Sequence, residues 1–323
     1  TPIKSSAASD VYKRQILFCL FTLTIIYAGV RNGIERVSKF MMPILIVLSV
    51  LIAVYSVTRS GAMEGVKYFL VPNVKNFSWM TVVAAMGQMF YSLSIAMGIL
   101  ITFGSYMKKE TSLEDSTRNV EVFDTAIAIM AGLMIIPAVF SFSGGDPDTL
   151  QAGPALMFIT IPKVFENMGF GTVVGILFFL LVLFAAVTSS IALTESAVST
   201  FEDELGWSRR RATVLVGVIM IALGSLSSLG YGPLAGIKII GMQFLDFFDF
   251  LTNSVMMPIA AMLTSLFVSR IVGMKRMEEE IMHGESTFRR KKIFIVMIKY
   301  LCPVFALIIL ISSVANAFGW IAM

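Results

Sequence analysis

Three places in an otherwise apolar chain carry oxygen atoms that packing alone does not require. The first is Gly87-Gln-Met-Phe-Tyr-Ser-Leu-Ser-Ile-Ala-Met-Gly98, where Ser92 and Ser94, with Gln88 one turn earlier, interrupt an apolar run from Phe77 to Phe103. The second is Asp124, four residues into a later apolar run, with Thr125 beside it. The third is Ala185-Ala-Val-Thr-Ser-Ser190, followed by Glu195. Hydroxyls and carbonyls are the hard ligands that alkali cations accept, and a carboxylate inside an apolar helix is costly enough to face a cavity, a cation or a partner. Ion coordination is therefore the chemistry open to these residue types. Each place also has a plainer reading. Ser92 and Ser94 suit a broken helix whose freed carbonyls and half-helix end meet an ion and an anion, but equally a kinked helix whose serines bond back to the backbone. Asp124 is near enough to a membrane edge to reach water, and Thr188, Ser189 and Ser190 suit helix–helix contacts.

The elements that must position these groups are membrane spans. Hydrophobic residues make up 57% of the 323, charged residues 14%, and the mean hydropathy is +0.84, which excludes a soluble globular domain. A net charge of +4 points to nucleic acid in a soluble chain, whereas here its placement among loops is what matters. Cys19 and Cys302 both fall in apolar runs, as packed thiols do, and His283, the only histidine, lies in a charged loop. Zinc and histidine chemistry have no footing, and no organic cofactor is expected.

Apolar runs at 16–30, 40–58, 77–103, 121–143, 170–198, 212–229, 244–269 and 293–318 predict eight spans in one membrane domain, residues 16–323. The first run is short for a bilayer and follows a polar, basic stretch, so residues 1–15 read as a non-native or disordered junction. The loops after spans one, three, five and seven hold sixteen Lys and Arg against five in the alternate loops, which places the first set in the cytoplasm. Between Ser143 and Gly169, the apolar segment 152–162 is too short to span and reads as a re-entrant or interfacial hairpin. At the edges, Tyr106, Asp203, Asp246 and Asp249 read as solvated caps, and Met277 to Glu280 as a solvated helix face.

Taken together, these residues resemble the bacterial branch of the neurotransmitter:sodium symporter family. The match rests on Gly29-Val-Arg-Asn-Gly-Ile-Glu-Arg36 through Pro43, the Gly87 to Tyr106 segment, Asp124-Thr-Ala-Ile-Ala-Ile-Met-Ala-Gly132, Thr188-Ser-Ser-Ile-Ala192 and Phe201-Glu-Asp-Glu-Leu205, in the family's order and spacing. The resemblance implies an all-α, partial inverted-repeat fold in which the eight spans correspond to helices four to eleven, the third of them broken at mid-membrane. It implies a sodium-coupled symporter of a neutral amino acid in a bacterial plasma membrane, working by alternating access, with sodium and the lipid bilayer as its partners and no nucleic acid. Ser92 and Asp124 would serve one sodium site, and Ala185 (through its carbonyl), Thr188 and Ser189 a second. Tyr91, Ser92, Ser94, Met97, Ser189 and Leu193 would line the amino-acid pocket. Gln88 and Asp249 would belong to an outer gate; Ser105, Tyr106 and Asp203 to an inner one. The family's first three helices have no counterpart, so the 323-residue chain alone is expected neither to bind nor to transport.

Two departures from the family pattern are informative. Asparagine is frequent where Asp124 stands, and chloride-dependent members carry a serine near Ala128, so a fixed charge at Asp124 implies transport without chloride. Ala96 replaces a common glycine, which narrows the pocket toward a modest-sized substrate. An intramembrane aspartyl protease would need a second aspartate at similar depth, which no other span offers. A non-transporting amino-acid sensor on the same fold is the remaining alternative.

Overall fold

The structure is a computed structural model that describes residues 5–144, 146, 153, 156–166, 169–283 and 287–321. Its helices are α1 (Ser5–Tyr27), α2 (Val30–Val57), α3 (Ala62–Leu70), α4 (Trp79–Ser92), α5 (Ile99–Ser105), α6 (Leu113–Ser143), α7 (156–166), α8 (Gly171–Leu205), α9 (Arg209–Gly230), α10 (Phe244–Val272), α11 (Met274–Met282) and α12 (Lys291–Ala317). Among the described residues the sole β pairing is an isolated bridge between Ile239 and Met242. Six helices, α2, α6, α8, α9, α10 and α12, are each long and apolar enough to cross a bilayer in one piece. Apolar side chains such as Val214 and Val218 on α9 and Ile311 on α12 stand exposed, as lipid contact requires and water would penalise.

The two remaining expected spans differ from the rest. α1 starts at Ser5, so residues 5–15, set aside on sequence grounds, continue the helix, and Gln15 accepts a 2.7 Å hydrogen bond from the Ser228 hydroxyl of α9. The third span is divided into α4 and α5. Most of the apolar segment expected as a re-entrant hairpin, residues 156–162, lies in α7, while positions 152, 154 and 155 lie outside the described residues.

The chain divides into two compact units: residues Thr1–Gly33, Ser78–Val120 and Ile191–Met323 form the first, and Ile34–Phe77 and Glu121–Ser190 the second. In the first unit α1 packs along α9, α10 along α12, and α12 also meets α4. The loop helix α11 buries Ile281 and pairs Glu278 with Lys291 at the foot of α12, so the charged face expected around Met277 to Glu280 is partly engaged.

The second unit has an apolar core in which Leu48 and Ile52 of α2, Ala138 and Val139 of α6, Ile161 and Phe165 of α7, and Val174 and Phe178 of α8 interdigitate. Phe165 meets Phe178 edge-on at 5.4 Å between ring centres, a favoured aromatic geometry. Gly65 of α3 lies so close to α6 that a Cβ there would stand 2.9 Å from the Cα of Pro137. The α3–α6 contact therefore requires glycine.

Candidate functional site

The polar interruption is a true break, and the helix before it is capped at both of its ends. α4 opens on a capping box: the Ser78 hydroxyl accepts from the Thr81 amide at 3.3 Å, and the Thr81 hydroxyl accepts from the Ser78 amide at 3.2 Å. It closes in a Schellman arrangement, with the Ile95 amide donating to the Phe90 carbonyl at 3.1 Å and the Ser94 amide to the Tyr91 carbonyl at 3.0 Å. Ser94 takes the left-handed turn at φ 54, a position where glycine is usual. Ala96 (φ 63) and Gly98 (φ 78) are left-handed as well, and α5 begins immediately after. A continuous, merely kinked helix is thereby set aside. Gly98 is doubly required, because a Cβ there would stand 2.4 Å from the Ser196 hydroxyl oxygen of α8. That hydroxyl also donates to the Met97 carbonyl at 3.4 Å.

Four of the expected pocket residues of the first unit, Tyr91, Ser92, Ser94 and Met97, lie at or next to this break in the chain. Tyr91 and Ser92 form the last turn of α4 and stand exposed, Ser94 and Met97 lie in the break itself, and Leu193 is exposed on α8. Gln88 is exposed one turn above the break, and Asp249 of α10 accepts from the Asn253 side chain at 2.6 Å. In the second unit the Thr188 hydroxyl donates to the Phe184 and Ala185 carbonyls of its own helix, each at 3.0 Å. Ser189, the next residue, stands exposed. Asp124, half-buried, lies eleven residues from the start of α6, roughly 16 Å along the helix. The helix begins well before the apolar run, so Asp124 is deeper in its element than the run alone implied.

Beyond α5, a charge cluster stands that loop counting did not assemble. Glu195 is completely buried on α8, and Arg209, the first residue of α9, grips it with two nitrogens at 2.5 and 3.2 Å. The same guanidinium reaches Glu202 at 3.1 Å and donates through Nε to the Ile26 carbonyl of α1 at 2.9 Å. Tyr106, just beyond α5, donates its hydroxyl to Glu195 at 2.7 Å. Its partial burial, reinforced by the Glu195 carboxylate, pushes the phenol up to about 12. Of the inner-gate residues expected, Tyr106 thus joins the cluster, Ser105 bonds the Thr102 carbonyl of its own helix at 2.7 Å, and Asp203 is exposed while its neighbour Glu202 takes the ion pair. The sequence did hold a signal: Glu195 is a carboxylate in an apolar run and so called for a cation.

Cys19 and Cys302 are free thiols, and among the described residues no group of three or more His, Cys, Asp or Glu is placed to hold a metal.

A bundle of membrane helices with one capped break at mid-span defines a polytopic membrane protein of broken-helix type. The chain belongs to the sodium:neurotransmitter symporter family, whose model matches residues 5–319. It is 35% identical over 285 residues to the uncharacterized sodium-dependent transporter YhdH of Bacillus subtilis, covering 88% of this chain and 61% of that protein. An uncharacterized sodium-dependent transporter of Haemophilus influenzae is 31% identical, over 97% of this chain and 70% of that protein. Among solved structures, MhsT in complex with L-phenylalanine superposes with a TM-score of 0.79 at 36% identity, covering 92% of this chain and 66% of that one. The chain thus spans about six-tenths to seven-tenths of the length of these relatives.

Proposed function

We propose that this chain carries the broken-helix part of a sodium-coupled symporter that moves a neutral amino acid across the bacterial plasma membrane by alternating access. The observation that carries this reading is the capped break between α4 and α5, where Ser94 and Ala96 hold left-handed backbone in mid-span. A helix end inside a bilayer gathers polar backbone and hydroxyl groups around one point, which suits a zwitterion and an alkali cation. Sodium is a transported substrate on this reading, with Ser92 of the first unit and Asp124, Ala185, Thr188 and Ser189 of the second proposed as its ligands. Tyr91, Ser92, Ser94, Met97 and Leu193 of the first unit, and Ser189 of the second, are proposed as amino-acid ligands. Support comes from the family itself and from the amino acid bound to MhsT in its structure.

The test is uptake of labelled leucine and alanine into proteoliposomes holding the protein encoded by the genomic reading frame that contains these residues. Uptake driven by an inward sodium gradient, saturable and lost when choline replaces sodium, is expected. Saturable binding without uptake would instead identify a sensor, and uptake indifferent to sodium would overturn the coupling.

A further inference from the structure

Three hydroxyls are buried where α5 meets α8: Thr102 of α5 and Ser196 and Ser199 of α8, each more than nine-tenths buried. With the Met97 and Ser196 carbonyls they form a continuous run of five oxygens. The Met97 carbonyl stands 3.4 Å from Ser196 Oγ, Ser196 Oγ 3.5 Å from Thr102 Oγ1, Thr102 Oγ1 3.2 Å from Ser199 Oγ, and Ser199 Oγ 3.2 Å from the Ser196 carbonyl. Those separations are long for hydroxyl hydrogen bonds, which favour about 2.7–2.8 Å. Hydroxyls immediately around the run do reach that length: Ser105 to the Thr102 carbonyl at 2.7 Å, Thr200 to the Ser196 carbonyl at 2.8 Å and Tyr106 to Glu195 at 2.7 Å.

Spacings of 3.2–3.5 Å suit the edges of a small cation's coordination shell. Sodium is nearly the size of calcium, whose oxygen ligands lie at about 2.3–2.6 Å, and neighbouring corners of an octahedron of about 2.4 Å radius are roughly 3.4 Å apart. None of the five oxygens is a carboxylate, so a monovalent ion suits them better than a divalent one. Potassium is larger and needs its oxygens wider apart. Charge favours a cation as well, because Glu195 and Glu202 share the single guanidinium of Arg209, leaving one negative charge in surplus next to Ser196. Ser199 also shares a hydrogen bond with Tyr106, which gives its proton an acceptor outside the run.

We propose that Met97, Thr102, Ser196 and Ser199 form a sodium site between α5 and α8, separate from the two positions that the family resemblance implies. Every ligand lies in the first unit, so the site needs neither Asp124 nor Thr188, and this chain by itself is expected to bind there. A cation held by Met97 and Thr102 on one side and by α8 on the other fixes α5 against α8 just beyond the break. Binding at this site does not depend on the transport reading.

The experiment measures retention of radioactive sodium by the detergent-solubilised full chain, with choline keeping the ionic strength constant. Saturable retention is expected, displaced by unlabelled sodium and only weakly by potassium. Thr102→Val keeps the shape of the side chain and loses its oxygen. That variant and Ser199→Ala should each weaken retention by at least about tenfold, the usual cost of disturbing a metal's surroundings, and Thr102→Ser should retain it. Thermal unfolding supplies a second readout: sodium should raise the midpoint of the unaltered chain and of Thr102→Ser but not of Thr102→Val. A purely structural hydroxyl contact would instead lower the midpoint of Thr102→Val equally in sodium and in choline. Where one variant does not yield folded protein, the other decides. Absence of saturable retention, retention that survives both Thr102→Val and Ser199→Ala, or displacement by potassium as ready as by sodium would overturn the proposal. Retention lost on combining Asp124→Asn with Thr188→Val, yet kept in Thr102→Val, would also overturn it and place the ion at the positions of the transport reading. Sodium-independent uptake by the complete protein would overturn that reading and leave this site standing.

Discussion

Glu195 is the residue on which the charge cluster beyond α5 depends. A fully buried carboxylate is tolerable only while its charge is met, and Arg209 meets it with two nitrogens while Tyr106 adds a third donor. Removing one partner of a buried pair costs about 3–5 kcal/mol. Because the Arg209 side chain remains 23% exposed, the lower end applies, and Arg209→Ala should destabilise the protein by about 3 kcal/mol in thermal unfolding of the detergent-solubilised chain. Glu195→Gln should cost markedly less, since Arg209 keeps Glu202 and the amide oxygen still accepts from Tyr106. A larger loss from Glu195→Gln than from Arg209→Ala would contradict this arrangement. Tyr106 supplies a pH-dependent test. Its phenol lies near 12 in the folded state against 10 for the free side chain, so the folded state holds a proton that the unfolded state releases. The associated stability is complete below pH 10 and fades as pH rises toward 12. Ultraviolet titration of tyrosinate, with Tyr106→Phe as the reference, should show one late-titrating phenol missing from the variant. Both acidic partners of Arg209 were visible in the sequence as residues. Their pairing was not, because it depends on how the turn between α8 and α9 folds back, and Asp203 and Glu202 are indistinguishable by type.

The break is an element defined by reversed-hand residues. Left-handed backbone costs an L-residue roughly 1–2 kcal/mol, so Ala96→Gly should stabilise the break by about 1 kcal/mol. Gly98→Ala should do the opposite on two counts, the φ of 78 and the 2.4 Å approach to Ser196. Adding Ser196→Gly to Gly98→Ala should recover the steric part and leave the conformational part, a non-additivity that a double-mutant cycle of unfolding free energies measures. Glycines and serines in an apolar run disclosed that something interrupts the third span. They placed it between Gly87 and Gly98 but did not show which residues make the turn, since Gly87 lies inside α4 as ordinary helix while Ser94 and Ala96 take the left-handed backbone. Positive φ at a non-glycine residue is imposed by tertiary surroundings, which one-dimensional spacing does not contain.

For the whole molecule, hydropathy located the six helices long enough to cross in one piece among its eight apolar runs, but did not foresee that segments 34–77 and 121–190 form a unit of their own. Interleaved units rest on contacts between segments far apart in sequence. On the proposed transport reading, the half-buried Asp124 in that unit supplies a fixed negative charge beside sodium. Replacing chloride by gluconate should then leave uptake by the complete protein unchanged, whereas Asp124→Asn should lose uptake in chloride-free medium; loss of native uptake without chloride would reject the idea. The Glu195–Arg209 pair also constrains how the molecule is made. Glu195 leaves the ribosome fourteen residues before its cation, an interval of roughly one to three seconds at ordinary synthesis speeds. During that delay the carboxylate at the end of α8 is without its cation, a costly state at membrane depth, so α8 and the start of α9 are expected to settle into the membrane as a pair.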